Sequence, residues 1–154
     1  MSPSINHNSV PENLLPSVLE FSLRRQVVDT EVVERYDVRW LSELQVLETD
    51  YGLMAIHTKV SIERWRLFWE ALSHVNVWEW EASYSNPLVI DDFVESWNLR
   101  IQYQGKVLES VGYNSFPGLS DPDSDTNDKF GFFIAALDLL AGKDLLSKND
   151  NEAQ

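Results

Sequence analysis

No cysteine occurs among the 154 residues, which removes disulfides, thiol nucleophiles, Cys-ligated zinc and iron–sulfur clusters from consideration. A reducing compartment is compatible with that absence. Glycine is scarce at six residues, and no glycine-rich phosphate loop occurs, so nucleotide hydrolysis and dinucleotide binding lack their usual backbone cradle. No window approaches the roughly 18 apolar residues of a membrane span, and the opening MSPSINHNSVPENLLPS has no basic region followed by an apolar core. The chain therefore reads as cytoplasmic and free of membrane. Positive charge is the other shortage: 12 basic against 25 acidic side chains give −13. Such a surface repels phosphate backbones and anionic lipid and attracts basic partners over about 10 Å at 0.1 M salt. Direct nucleic-acid binding is disfavoured.

What remains is a globular composition, 44% apolar and 12% aromatic with six tryptophans. A chain of this length suits one domain that buries roughly 70% of its unfolded surface. Pro3, Pro11 and Pro16 punctuate a polar start, so residues 1–16 read as a flexible leader, 17–146 as a single domain and 147–154 as a disordered tail.

Along the domain, Val18 to Arg24 alternates apolar and polar residues, and the β-branched tendency continues through Trp40, predicting two strands with a turn near Asp29. Leu44–Glu48 and Leu53–Val60 around Tyr51-Gly52 read as a hairpin. Ser61 offers a cap oxygen to a helix over 61–73, in which Ile62, Trp65, Phe68, Trp69 and Leu72 recur at helical spacing. From Val77 the period changes to two: Val77, Glu79 and Glu81 face one way and Trp78, Trp80 and Ala82 the other, predicting a half-buried strand over 77–82. Asn86-Pro87 breaks it, and 88–95 forms an acidic connection. Trp97, Leu99, Ile101 and Tyr103 make the inward stripe of a second hairpin, turning at Gln104-Gly105-Lys106 and returning over 107–111 to Gly112. Residues 113–128 are turn-rich and acidic. Asp128 then caps a helix whose Phe130, Phe133, Ile134, Leu137 and Leu140 or Ala141 share a face, closed by Gly142. The expected fold is α+β, an antiparallel sheet of about five to seven strands with two amphipathic helices, about 61–73 and 128–141, on one face.

The run from the first helix onward, with Trp78-Glu79-Trp80, Tyr84, Trp97-x-Leu99-x-Ile101-x-Tyr103-x-Gly105-Lys106, Ser110-x-Gly112-x-Asn114-x-Phe116-Pro117 and the Phe-rich helix, covers residues 61–141. It resembles a group of small bacterial domains of the immunity and anti-defence type. In that group an Asp-Gly turn leads to the tryptophan, whereas Asp91 to Ser96 precede Trp97 here without glycine. The resemblance implies a compact acidic α+β domain and brings no catalytic residues with it.

Several constellations can be weighed as chemistry. Asp121-x-Asp123-x-Asp125 offers hard oxygen ligands, but Thr126 stands where an EF-hand needs glycine and Phe132 where it needs glutamate, so no metal is expected. His7, His57 and His74 lack zinc-ligand spacing, and no Gly-x-Ser-x-Gly elbow occurs. Glu79/Glu81 and Asp91/Asp92 could run glycosidic acid–base chemistry only if burial separated their pKa values. Trp65, Trp69, Trp78 and Trp97 fall on apolar stripes and read as core, leaving Trp40 and Trp80 as weaker core residues and Trp80 as an interface aromatic. The acids concentrate: residues 79–128 hold ten against Arg100 and Lys106, a net −8. The expected partner-binding set is Glu79, Trp80, Glu81, Asp91, Asp92, Glu95, Asp121, Asp123 and Asp125, with no catalytic residue and no cofactor. The expected function is a non-enzymatic inhibitor docking on a basic protein surface, such as a nuclease or a defence complex. The alternative is an adaptor that binds protein through exposed aromatics. Oligomeric state is not legible.

Overall fold

A computed structural model describes residues 10–86, 93–118 and 128–142. Seven strands form one sheet: β1 (Val18–Val27), β2 (Val33–Leu41), β3 (Val46–Asp50), β4 (Ala55–Thr58), β5 (Ser83–Ser85), β6 (Phe93–Tyr103) and β7 (Lys106–Tyr113). Their order is β4-β3-β2-β1-β6-β7-β5. All neighbours are antiparallel except β5, which runs parallel to β7. The fold is α+β, with helices α1 (Ile62–His74) and α2 (Lys129–Leu140) on one face of the sheet.

Strand periodicity decides the layering. Leu19 and Phe21 of β1, Tyr36, Val38 and Trp40 of β2, Leu47 of β3 and Trp97, Leu99 and Ile101 of β6 all turn inward and are buried. Against them α1 sets Trp65, Phe68, Trp69 and Leu72, and α2 sets Phe130, Phe133, Leu137 and Leu140. The aromatic rings interlock edge to face, Phe21 with Phe133 at 5.5 Å and Trp40 with Trp65 at 5.2 Å between centroids. Each such side chain contributes about 1.5–3 kcal/mol on burial.

The caps follow from side-chain chemistry. Ser61 Oγ accepts from the Arg64 amide at 3.2 Å, and Asp128 Oδ1 accepts from the Gly131 amide at 2.8 Å, satisfying donors the first turn leaves open. The two-residue turn Gln104-Gly105 has φ of 51° and 78°, the left-handed pair that matches strand twist in a tight hairpin. Lys106 already belongs to β7, and β7 runs on to Tyr113 through Gly112. Gly112 lies opposite Trp97, and the indole occupies the space a side chain would need: a Cβ there would stand 1.9 Å from Trp97 Nε1.

Three expectations are corrected. Residues 77–82 are not a strand. Asn76 takes a left-handed φ of 52°, Val77–Glu79 forms a single 3-10 turn, and Val75, Val77 and Trp80 all turn inward, Val77 and Trp80 sharing a side that alternation would have divided between them. The strand falls instead at Ser83–Ser85, too short to leave a pattern. Second, the acidic connection does not reach Glu95, because β6 starts at Phe93 and Glu95 is held in it by the Asn114 side chain. Third, the leader is docked from Val10 onward. Trp69 Nε1 donates to Leu14 O at 2.7 Å, Tyr103 Oη donates to Asn13 O at 2.9 Å, and Pro16 is buried. Residues 1–9 and the tail 147–154 lie outside the described residues.

Candidate functional site

The acidic set predicted from sequence divides. Asp91, Asp92, Asp121, Asp123 and Asp125 lie outside the described residues. Glu79 and Glu81 are exposed on the segment entering β5, with Glu81 O accepting from the buried Ser110 hydroxyl at 2.6 Å. Glu95 is half-buried farther along, beside Asn114, and Arg25 Nη2 stands 3.5 Å from its carboxylate. Glu79, Glu81 and Glu95 therefore form no common cluster. Trp80 is corrected from interface to core: it is 7% exposed, its Nε1 donates to Val75 O at 3.1 Å, and its ring meets Trp97 and Phe133. Trp40 is likewise buried. Trp78 is half-covered, with Lys106 Nζ 5.6 Å above its ring. Among the described residues the exposed aromatic side chains are Tyr51, Tyr113 and Phe132, none a tryptophan.

The open face of the sheet carries the ordered polar groups. In register across six strands stand His57, Glu48, Arg39, Glu20, Arg100 and Glu109. Glu48 is gripped from both sides, by Arg39 Nη2 and His57 Nε2, each at 3.0 Å, and Arg100 Nε meets Glu109 at 3.1 Å. The His57 hydrogen bond, seconded by Arg39, holds the Glu48 carboxyl below its ordinary range against the opposing pull of desolvation. One row along, Asp37 accepts from Ser22 Oγ at 2.7 Å and Arg24 Nη1 at 2.9 Å. Glu20, Ser22, Asp37, Arg39 and Glu48, with Asp50 and Asn98, line a shallow cleft of about 310 Å³. The face is a mutually neutralising lattice, and among the described residues no group of His, Asp and Glu is arranged to hold a metal ion.

On the helix side, Tyr36 Oη donates to Asp138 Oδ1 at 2.9 Å, and burial, then the neighbouring carboxylate, pushes the Tyr36 hydroxyl far above its ordinary pKa of 10.0. That pair joins β2 to α2 and is structural. The outer side of the helix pair is different. α1 and α2 run antiparallel, the Arg64 guanidinium donating to Leu139 O at one end and His74 meeting Phe132 at 6.2 Å at the other. Between them lies a groove of about 400 Å³ lined by Leu67, Phe68, Ala71, Ala136, Leu139 and Leu140 and edged by Ser61, Glu63 and Arg64. Sequence reasoning missed this surface. Its signal was the residues left over once the inward stripes were assigned, Leu67, Phe132 and Leu139, which are apolar where solvent should favour polar groups.

Among the described residues six arginines are engaged, while Lys59, Arg66, Lys106 and Lys129 stand in no ion pair. Arg24, Arg25, Arg35, Arg39 and Arg100 are in ion pairs, and Arg64 is bound to a carbonyl. Among the described residues the exposed Glu63, Glu70, Glu79 and Glu81 have no cationic partner. No described helix is long and apolar enough to cross a membrane. Compared with known proteins, the chain matches no family model, and no curated protein matches it.

Proposed function

We propose that this chain is a non-enzymatic binding protein of the immunity or anti-defence type, which inhibits by docking on a basic protein surface such as the nucleic-acid groove of a nuclease or defence complex. One observation carries the reading: Arg24, Arg25, Arg39 and Arg100 of the sheet are spent on strand-to-strand pairs, while exposed carboxylates on α1 and before β5 have no cation among the described residues. Unneutralised surface charge of one sign adds self-repulsion without helping the fold, and it accelerates encounter with an oppositely charged partner. Asp121, Asp123 and Asp125 belong to the same net negative charge in the sequence.

The adaptor reading changes character. Five of the six tryptophans are buried and Trp78 is half-covered, so an aromatic contact would rest on Phe132, Tyr51 or Tyr113. The test of the leading reading is affinity capture from the native host at about 0.05 M and about 0.5 M salt, where Debye screening differs by roughly threefold. A partner rich in surface Lys and Arg should be retained at low salt and lost at high salt, and lost at both by E63K/E70K/E79K/E81K. Retention insensitive to salt and to those reversals would reject electrostatic docking.

A further inference from the structure

The rows of the open face differ in side-chain length. In register across β3, β2, β1, β6 and β7 stand Asp50, Asp37, Ser22, Asn98 and Val111, all short. Two residues along each strand on one side lie Glu48, Arg39, Glu20, Arg100 and Glu109, and two residues along on the other lie Arg35, Arg24, Ser96 and Tyr113. A short row between longer ones makes a trough at right angles to the strands, and neighbouring strands about 4.8 Å apart give it a floor of about 19 Å. The cleft of about 310 Å³ holds Asp50, Asp37, Ser22 and Asn98 of that floor, and a second, of about 300 Å³, continues it past Arg24 and Ser96 to Val111. Ser22 and Asn98 line both, so the two are one depression.

Charge and hydrogen-bonding capacity select the guest. Around the trough Glu20, Asp37, Glu48, Asp50 and Glu109 stand among Arg24, Arg35, Arg39 and Arg100, five carboxylates to four guanidiniums on a chain of net charge −13. Opposite charges interleaved this closely favour neither a polyanion nor a polycation. Bonding capacity is nevertheless left over. Among the described residues the Asn98 amide, the Ser96 hydroxyl and the Glu20 carboxylate make no side-chain bond, and the Asp50 carboxylate accepts only from the Gly52 amide, at 2.7 Å. The trough therefore offers free donors and free acceptors side by side. A peptide lying across the strands would find the amides of β2, β1 and β6 already paired with one another, and its own backbone would go unmatched. Sugar hydroxyls both donate and accept, and side chains alone satisfy them. At the β7 end the exposed Val111 and Tyr113 supply an apolar surface for the flat side of a ring. We infer that the trough across the open face of the sheet binds a short, uncharged, linear oligosaccharide. The inference goes beyond the binding-protein reading and does not depend on it.

The test is an amide NMR titration of the full chain with cellotetraose, maltotetraose and tetra-N-acetylchitotetraose, each raised to about 10 mM. At least one should shift the Asn98 side-chain amide and the backbone amides of Ser22, Asn98 and Val111 saturably, with Kd on the order of 1 mM. The affinity should change less than about twofold between about 0.05 M and about 0.5 M salt, because the ligand carries no charge. N98A should weaken binding at least about fivefold by removing the free amide. V111R, which lays a long side chain over the floor, should abolish it. Thermal melts of both variants should match the parent, because both positions are exposed. No saturable shift with any of the three sugars, shifts centred away from this row, or binding unchanged in N98A and V111R would overturn the inference. A tenfold loss at the higher salt would reject an uncharged guest. Shifts along the row from a leucine–lysine peptide and from none of the sugars would assign the trough to a protein segment instead. Loss of salt-dependent capture alone would reject the docking reading while the sugar result stood.

Discussion

The two faces of the sheet are made by alternate residues of the same strands, yet they hold by different physics. On the helix-covered face, Phe21, Trp97 and Leu99 interlock with α1 and α2, and each contact depends on shape. On the open face, one residue along each strand, Glu20, Arg39, Arg100 and Glu109 form a charge row whose members sit partly in water. Shape-dependent contacts are costly to disturb and tolerate little change. Screened charges cost little and can be exchanged. The difference teaches where each face can change: one is covered and fixed by shape, and the other pairs its charges across strands while leaving Val107, Val111 and Tyr113 of β7 exposed. Exposed apolar groups remain at Leu67, Phe132 and Leu139 of the helices, at Leu53 and Met54 between β3 and β4, and at Val107 and Val111 of β7, and unpaired carboxylates remain on α1 and before β5.

The sharpest break of this contrast is Gly112→Ala. A Cβ there would meet Trp97 Nε1 at 1.9 Å, Trp97 Cε2 at 2.3 Å and Ser115 O at 2.7 Å, with backbone on one side and a locked indole on the other. Overpacking of this severity should cost about 3 kcal/mol or more, read as a lower urea midpoint. A loss below about 1 kcal/mol would show that the covered face is more plastic than its packing implies.

Trp69→Phe comes next. It keeps an aromatic ring near Tyr103 but removes the donor to Leu14 O. A loss of about 1–2 kcal/mol is expected, together with faster amide exchange at Leu14 and Leu15, since their 3-10 turn is held to the domain by that bond. Unchanged exchange there would mean the leader docks by apolar contact alone.

Tyr36→Phe should cost about 1 kcal/mol at neutral pH by deleting the bond to Asp138. Because the folded state raises the Tyr36 pKa above its ordinary 10.0, the parent keeps its full contribution below pH 10.0 and loses it as the pH rises beyond. The variant's alkaline unfolding curve should therefore be flatter than the parent's. Parallel curves would place the alkaline sensitivity elsewhere.

Much of the fold was legible because the inward residues announce themselves. The stripes Trp65/Phe68/Trp69/Leu72 and Trp97/Leu99/Ile101/Tyr103, and the caps Ser61 and Asp128, read correctly from spacing and side-chain chemistry. The strand expected at 77–82 failed because the local alternation does not reveal the left-handed Asn76 and the 3-10 turn after it, which bring Val77 and Trp80, three residues apart, to the same buried side. β5 was invisible because Ser-Tyr-Ser pairs through its backbone and depends on β7, far away in sequence. Trp80 was misassigned for the same local reason. The groove was missed because Leu67, Phe132 and Leu139 acquire meaning only when α1 and α2 lie antiparallel.

The smallest effect probes the open face directly. A double-mutant cycle of Arg39→Ala and Glu48→Gln should give a coupling of about 0.5 kcal/mol that vanishes near 1 M salt, as for other exposed pairs. Glu48 is held below its ordinary pKa of 4.5, chiefly by the His57 hydrogen bond, so its contribution is present above pH 4.5 and is lost as the pH falls through the lowered value. Glu48→Gln should accordingly flatten the acid limb of the stability curve while leaving neutral pH nearly unchanged. A coupling above about 2 kcal/mol, or one that survives high salt, would make the row a structural element equal to the aromatic face. The division between a rigid covered face and an exchangeable open one would then fail, because the charges would be holding the strands in register rather than decorating them.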